Sequence, residues 1–285
     1  MTTGCTSGWR ISALALLAAG FLAILDVARA ESDNDTLRAE LGALATGAHR
    51  AEGHAARNVY RHPVETLVWF GIEPDMTVVE IWPGRAGWYT EIIAPFVNEN
   101  GRFIAAGFVT DSAIDYYSTA NAKFGAKLRA HPELYGNARV TVLGEGVYNI
   151  APADSADRVL TFRNVHNWEN QSYAQDVFDA TYRALKPGGI LGVVEHRANP
   201  YVDTEAGVTP GYVTEAAVIA YAEAAGFERL GRSEVNANPL DTKDYPKGVW
   251  TLPPTLRLGD EDREKYLAIG ESDRMTLKFV KPYED

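Results

Sequence analysis

Hydrophobic and polar positions change period repeatedly along this chain. Thr77–Ile81 (T-V-V-E-I) is short, β-branched and nearly unbroken, as a buried strand should be. Arg102–Phe108, Arg139–Leu143, Asp157–Phe162, Ile190–Glu195, Phe227–Glu234 and Met275–Val280 read the same way. Between them lie stretches with helical spacing: Asp35–Asn58, Pro63–Phe70, Trp88–Phe96, Ala113–Ala130, Ser172–Leu185 and Val213–Ala225. Pro63 opens its helix where a first turn tolerates proline. Pro187-Gly188-Gly189 and Gly226 end theirs. Strands alternating with helices predict an α/β fold, a doubly wound, seven-stranded, mostly parallel sheet with helices on both faces. Such sheets bind ligands outside the carboxyl ends of their strands. Asn236–Gly270 lacks a clear period and carries prolines, and is expected to be a lid or extension.

The first thirty residues follow another logic. Arg10 precedes the uncharged run Ile11–Leu25, and Ala28 and Ala30 then form an A-x-A site. This is the pattern of a signal peptide over 1–30, cleaved after Ala30. A permanent span would need about 20 apolar residues. The expectation is an exported protein, periplasmic or extracellular, with no membrane span after cleavage. Residues 31–285 are then a single domain whose 31–70 portion is a helical cap.

Composition narrows the partners. The 285 residues carry 27 Lys+Arg against 38 Asp+Glu, a net charge of −11. An acidic chain is a poor default partner for nucleic acid, whose phosphates demand counter-charge. The sole cysteine, Cys5, lies in the leader, so neither a disulfide nor a cysteine metal site is expected in the mature chain. His49, His54 and His62 make no H-E-x-x-H pair, and no metal is expected. Gly270-Glu271-Ser272-Asp273-Arg274 is not a G-x-S-x-G elbow, because Arg274 replaces the second glycine.

Three strand ends concentrate polar chemistry. Glu80-Ile81-Trp82-Pro83-Gly84-Arg85-Ala86-Gly87 leads from strand to helix through a glycine turn that lets a ligand approach the backbone. Arg163-Asn164-Val165-His166-Asn167-Trp168 follows the fourth strand, and Glu195-His196-Arg197 the fifth. If strands one, four and five are neighbours, these ends meet in one crevice. His166, His196, Arg163 and Arg197 would then give local positive charge inside an acidic protein. That favours a substrate with a carboxylate or phenolate, or one that loses a proton as it reacts.

From Arg61 to Lys281 these motifs resemble the class I S-adenosylmethionine-dependent methyltransferases. The resemblance rests on V-V-E-I-W-P-G-R-A-G-W, on the L-K-P-G-G-I-L step at Leu185–Leu191, and on A-E-A-A-G-F at Ala222–Phe227. R-H-P at Arg61–Pro63, R-N-V-H-N-W at Arg163–Trp168 and G-E-S-D-R-M-T-L at Gly270–Leu277 resemble an exported bacterial branch of predicted methyltransferases. The resemblance implies a Rossmann-like methyltransferase fold and S-adenosylmethionine as cofactor, with Glu80, Trp82, Gly84, Ala86 and Gly87 along its methionine end. Asp111 and Glu145 stand nearest to the superfamily's ribose and adenine acids. His166 and His196 are the expected catalytic residues; Arg163, Asn164, Asn167, Trp168 and Arg197 are expected to bind a small-molecule substrate. Two departures motivate an alternative. Trp82 takes the place of the first glycine, and the second strand ends in Ala106-Gly107-Phe108 without an acid. The alternative is a catalytically altered protein of the same fold that binds a small anionic or aromatic ligand in the periplasm.

Overall fold

The computed structural model describes residue 1 and residues 34–110, 114–200 and 209–283. The expected leader over 1–30 therefore lies outside the described residues, Met1 apart, and so does Asp111. Two compact units are present, Met1–Glu40 and Leu41–Asp285. In the first, residues 34–40 are helical. All that follows concerns the second.

The strands are β1 (Thr77–Ile81), β2 (Arg102–Phe108), β3 (Arg139–Gly144), β4 (Val147–Asn149), β5 (Ala156–Phe162), β6 (Leu185–His196), β7 (Glu228–Ser233) and β8 (Arg274–Val280). They form one sheet in the order β4-β3-β2-β1-β5-β6-β8-β7. The sheet has eight strands where seven were expected. The eighth, β4, turns back from β3 as a short antiparallel hairpin through Glu145-Gly146, with Gly146 at φ 74°. The seven expected strands are all present, and the pairs β1·β2, β1·β5, β2·β3 and β5·β6 are parallel.

Helices flank the sheet: α1 (Asn58–Arg61), α2 (Pro63–Phe70), α3 (Thr90–Phe96), α4 (Asp115–Ala130), α5 (Pro132–Tyr135), α6 (Val165–Asn170), α7 (Ala174–Ala184), α8 (Glu215–Ala224) and α9 (Arg263–Ile269). The core that joins them to the sheet includes Val79, Ile81, Val159, Trp168, Phe178, Leu191, Leu277 and Phe279, all 2% exposed or less. Thr214 caps α8 by accepting from the Ala217 amide at 3.1 Å.

Two features of this topology position the site. The crevice-forming strands β1, β5 and β6 are adjacent, so their carboxyl ends converge. Strand β8 runs antiparallel to β6 and pairs Arg274 with His196. The last strand thus begins where the parallel strands end, and its lead-in, Gly270–Asp273, arrives at the same edge.

The helix expected over Asp35–Asn58 stops at residue 46. Residues 47–54 turn back on themselves, with Gly53 at φ 74°. The cause is tertiary. The buried Glu91 carboxylate draws in the Ala51 amide at 3.2 Å, Arg50 Nε at 2.8 Å and His54 Nδ1 at 2.8 Å, and also pairs with Lys127. A continuous helix could not present all three N-terminal partners to one carboxylate.

Candidate functional site

At the carboxyl edge of the sheet lies a cavity of about 250 Å³. Its lining combines Arg57, Arg61, Arg163 and Arg274 with His166, His196 and Glu271, and with Trp250 and Pro253–Thr255. The arginines, histidines and Glu271 come from four places in the chain. Arg57 and Arg61 stand on the short helical turns before α2. Arg163 follows β5, and His166 sits in the first turn of α6. His196 ends β6, and Glu271 and Arg274 flank the start of β8.

Charge in this cavity is unbalanced. Glu271 accepts from Arg57 Nε at 2.5 Å and Arg61 Nε at 3.1 Å, and pairs with Arg274. Burial alone would raise its carboxyl, but the three guanidinium charges outweigh burial and hold it well below the usual carboxylate range. Arg61 is pushed well down by burial and by neighbouring Arg163. Arg163 is pushed to about 10 by burial and by Arg274. Among the described residues, the Arg163 guanidinium makes no side-chain hydrogen bond or ion pair of its own.

The histidines are held from behind. His166 Nδ1 lies 3.1 Å from Glu195 Oε1, and the same carboxylate accepts the backbone N–H of His196 at 2.7 Å. Glu195 is fully buried. The pairing fixes the Nδ1–H tautomer of His166 and leaves Nε2 as a proton acceptor. His196 lies with its ring centre 5.6 Å from that of His166, and its Nδ1 is 2.5 Å from Ser272 Oγ. Burial, reinforced by His166 and the arginines, pushes His196 well below the usual histidine range, so it is neutral at pH 7. His166, Glu195 and His196 bring one ligand atom each within 4.8 Å of one another. This spacing could hold a metal ion, which the sequence did not lead us to expect. Four guanidinium groups on the adjacent cavity oppose any added cation.

The tip of β1 forms a second locality. Glu80 is 3% exposed and accepts from Thr90 Oγ1 at 2.6 Å. Burial raises it to about 7, against the pull of that bond and of Lys127 and Arg163. Gly84 and Gly87 adopt φ 69° and 58°, and Ala86 is exposed, its carbonyl accepting from Lys127 at 2.5 Å. Trp82 points away from this turn, across the sheet edge. Its Nε1–H donates to the Leu143 carbonyl at 3.0 Å, and its ring packs on Phe108 (4.6 Å), Tyr117 (5.4 Å) and Trp168 (5.8 Å).

The sequence-predicted residues thus divide. Arg163, His166 and His196 meet in the cavity, with Glu80 on the neighbouring strand tip. Asn164 is an internal pin that donates to the Ile81 carbonyl at 2.9 Å and to Thr161 Oγ1 at 3.1 Å. Asn167 sits in α6, where its carbonyl accepts the Gln171 side chain. Trp168 is 1% exposed, in the core. Arg197 is committed to Asp273, Glu215 and Glu234. Glu145 is exposed on the β3–β4 turn. Sequence reading did not name Arg57, Arg61, Glu195, Trp250, Glu271 or Arg274 as site residues. For four of them a signal was present: the R-H-P and G-E-S-D-R motifs carry Arg61, Glu271 and Arg274, and Glu195 opens the polar end of the fifth predicted strand.

No protein-family profile and no curated protein matches the chain. Solved structures do. A methyltransferase from Aquifex aeolicus, described as SAM dependent, superposes with a TM-score of 0.53 at 17% identity, over 79% of this chain and 93% of that one. The 4+2 cyclase SpnF gives 0.53 at 16% identity, over 84% and 86%. Phosphoethanolamine N-methyltransferase 2 of Haemonchus contortus, in complex with S-adenosyl-L-methionine, gives 0.50 at 16% identity, over 79% and 53%. At such identities the likeness is one of architecture, and with the strand order it establishes that the chain has the fold of the class I S-adenosylmethionine-dependent methyltransferases.

Proposed function

We propose that the protein transfers a methyl group from S-adenosylmethionine to a small-molecule acceptor seated in the cationic cavity. One observation carries this reading. His166, backed by the buried Glu195 carboxylate, lines that cavity at the carboxyl edge of a methyltransferase-type sheet, just after β5, the strand next to the Glu80 tip of β1.

The two ends of the donor meet different surroundings. Glu80 and the accessible turn at Gly84 and Ala86 fit an amino-acid end: an ammonium group would favour the ionised form of a carboxyl raised to about 7. The tips of β2 and β3 present Phe108 and the indole of Trp82, so a nucleoside fits only beside Trp82 or in its place. When bound, the sulfonium supplies an electrophilic methyl group. The chain's own contribution is positioning and proton transfer. The arginines orient the acceptor, and His166 Nε2 accepts its proton. Glu195 holds the Nδ1–H and stabilises the imidazolium.

Calorimetric titration with S-adenosylmethionine is the direct test, and one-to-one binding is expected. No heat at millimolar ligand, with a folded sample, overturns the reading. His166→Ala should lower turnover about 100-fold and leave donor affinity within about twofold; equal loss of both refutes its role. Export is part of the proposal and rests on Arg10, Ile11–Leu25 and the Ala28/Ala30 site. N-terminal sequencing of protein made in a bacterial host should begin at Glu31.

The filled ground around Trp82 favours one second reading, in which the fold serves as an exported binding protein without methyl transfer. Native mass spectrometry separates the two: a copurifying anion together with no affinity for S-adenosylmethionine supports the second.

A further inference from the structure

Among the described residues, the cavity holds four guanidinium groups and one carboxylate, inside a protein whose net charge is −11. The single carboxylate cannot satisfy them. Glu271 takes one nitrogen from each of Arg57, Arg61 and Arg274. Arg57 Nη2, Arg61 Nη1 and Arg274 Nε are buried and have no hydrogen-bond partner among the described residues. Arg61 and Arg274 are 3% and 2% exposed, so water does not substitute freely. Buried donors without acceptors cost free energy, and several like charges in one cavity add to the cost. A folded chain keeps such an arrangement only where something offsets it. Arg163 is tolerated at φ 64°, a left-handed backbone that a side chain rarely adopts, and it brings a fourth guanidinium to the same wall.

We propose that this cavity is an oxyanion clamp, and that the acceptor carries a phosphate or carboxylate group held by Arg57, Arg61, Arg163 and Arg274. As a statement about the acceptor, this rests on the methyl-transfer reading; as a statement about binding, it stands without it. Planar guanidinium forks match the paired oxygens of both groups, and buried forks bind them more tightly than a lysine would. A volume of about 250 Å³ equals roughly eight waters, which admits a compact head group with a small body. The body has apolar surface in Trp250 and Pro253–Pro254, which line the same cavity as the arginines. Trp250 is itself stacked under Arg257 at 4.8 Å and stands edge-on to His166 at 6.0 Å. With the head group in the clamp, the body would share the cavity with Trp250 and His166, and His166 Nε2 is the proton acceptor on that lining. The rival occupant, a divalent cation on His166, Glu195 and His196, would sit beside four guanidinium groups that share one carboxylate.

The test titrates the full chain by calorimetry with inorganic phosphate, with malonate and with glycerol, in a buffer free of other oxyanions. One-to-one binding of phosphate or malonate, with none for glycerol, is expected. Tighter phosphate identifies a phosphate-bearing acceptor, and tighter malonate a carboxylate-bearing one. Arg163→Met and Arg57→Gln should each weaken that binding at least tenfold, and Arg163→Lys should fall between, because charge without a fork recovers part of the effect. Near-ultraviolet circular dichroism confirms that each variant is folded. No binding of either anion, or unchanged affinity in both folded variants, overturns the proposal. S-adenosylmethionine is titrated into the same wild-type sample. Donor binding without anion binding sinks the clamp and spares methyl transfer; anion binding without donor binding does the reverse.

Discussion

Trp82 and Arg163 each follow directly on a core strand, and each has a positive φ, 47° and 64°. That geometry costs a bulky residue about 1 kcal/mol or more. In both cases the side chain explains the persistence: Trp82 is fixed by Leu143 and the aromatic cluster, and Arg163 faces the cavity. Trp82→Gly removes the strain and opens the tips of β2 and β3. We expect it to tighten S-adenosylmethionine by calorimetry and to lower stability by about 3 kcal/mol in denaturant titrations, from lost aromatic packing. Unchanged donor affinity would show that the indole does not compete with the nucleoside. Glu195→Gln keeps the shape of the His166 contact but removes the charge that stabilises an imidazolium. A fall in kcat of about 10–100-fold, with KM little changed, is expected in steady-state assays. The sequence displayed Trp82 as an anomaly and His166 as a candidate. It could not show that Asn164 and Trp168, from the same motif, turn inward, because burial depends on what packs above a short helix.

Among the elements, the segment before α2 and helix α3 are joined by charge rather than by apolar area. Trp88 lies between the guanidinium groups of Arg50 and Arg61, each 4.6 Å from its ring, and Glu91 collects Arg50, His54 and Lys127. Burial alone would raise Glu91, but the bonds from His54 and Lys127 and the Lys127 charge bring it to about 2. Its folded value lies below the unfolded one. Its stabilisation is therefore fully present above about pH 4.5 and is lost as pH falls through about 2. Glu91→Gln should cost about 3–5 kcal/mol at pH 7 and flatten the acid limb of the stability curve. Glu80 has the opposite sign. Burial raises it to about 7, so between about pH 4.5 and 7 the folded state binds more protons, and stability falls as pH rises through that window. Glu80→Gln should remove this slope in denaturation at pH 5 and pH 8. The helical composition of residues 35–58 was legible in sequence; the break at 47 was not, because the carboxylate that causes it lies some forty positions away.

On the scale of the whole molecule, the acidic surface and the cationic cavity oppose one another, so an anion gains entry through the cavity rather than through the general field. The segment after β7 supplies Val249, Trp250 and Pro253–Thr255 to the cavity lining. If the clamp fills, this segment gains a contact on its inner face. Trypsin cleavage after the exposed Lys247 should then slow at least threefold with saturating phosphate, as read by peptide mass spectrometry. Cleavage at an unchanged rate would mean that the segment is a fixed wall and not a lid. No described helix is long and apolar enough to cross a membrane.

By itself, the sequence determined the alternation of strands and helices, the parallel sheet and the three polar strand ends. Those features are written in local period and in turn residues, which act over a few positions. Tertiary structure alone decided which charges share a cavity. Arg61 and Glu271 are 210 positions apart, and they meet because β8 enters antiparallel beside β6, with Arg274 opposite His196. A register one residue different would turn those side chains to the other face. That choice is made by packing across the whole sheet, which no local pattern encodes.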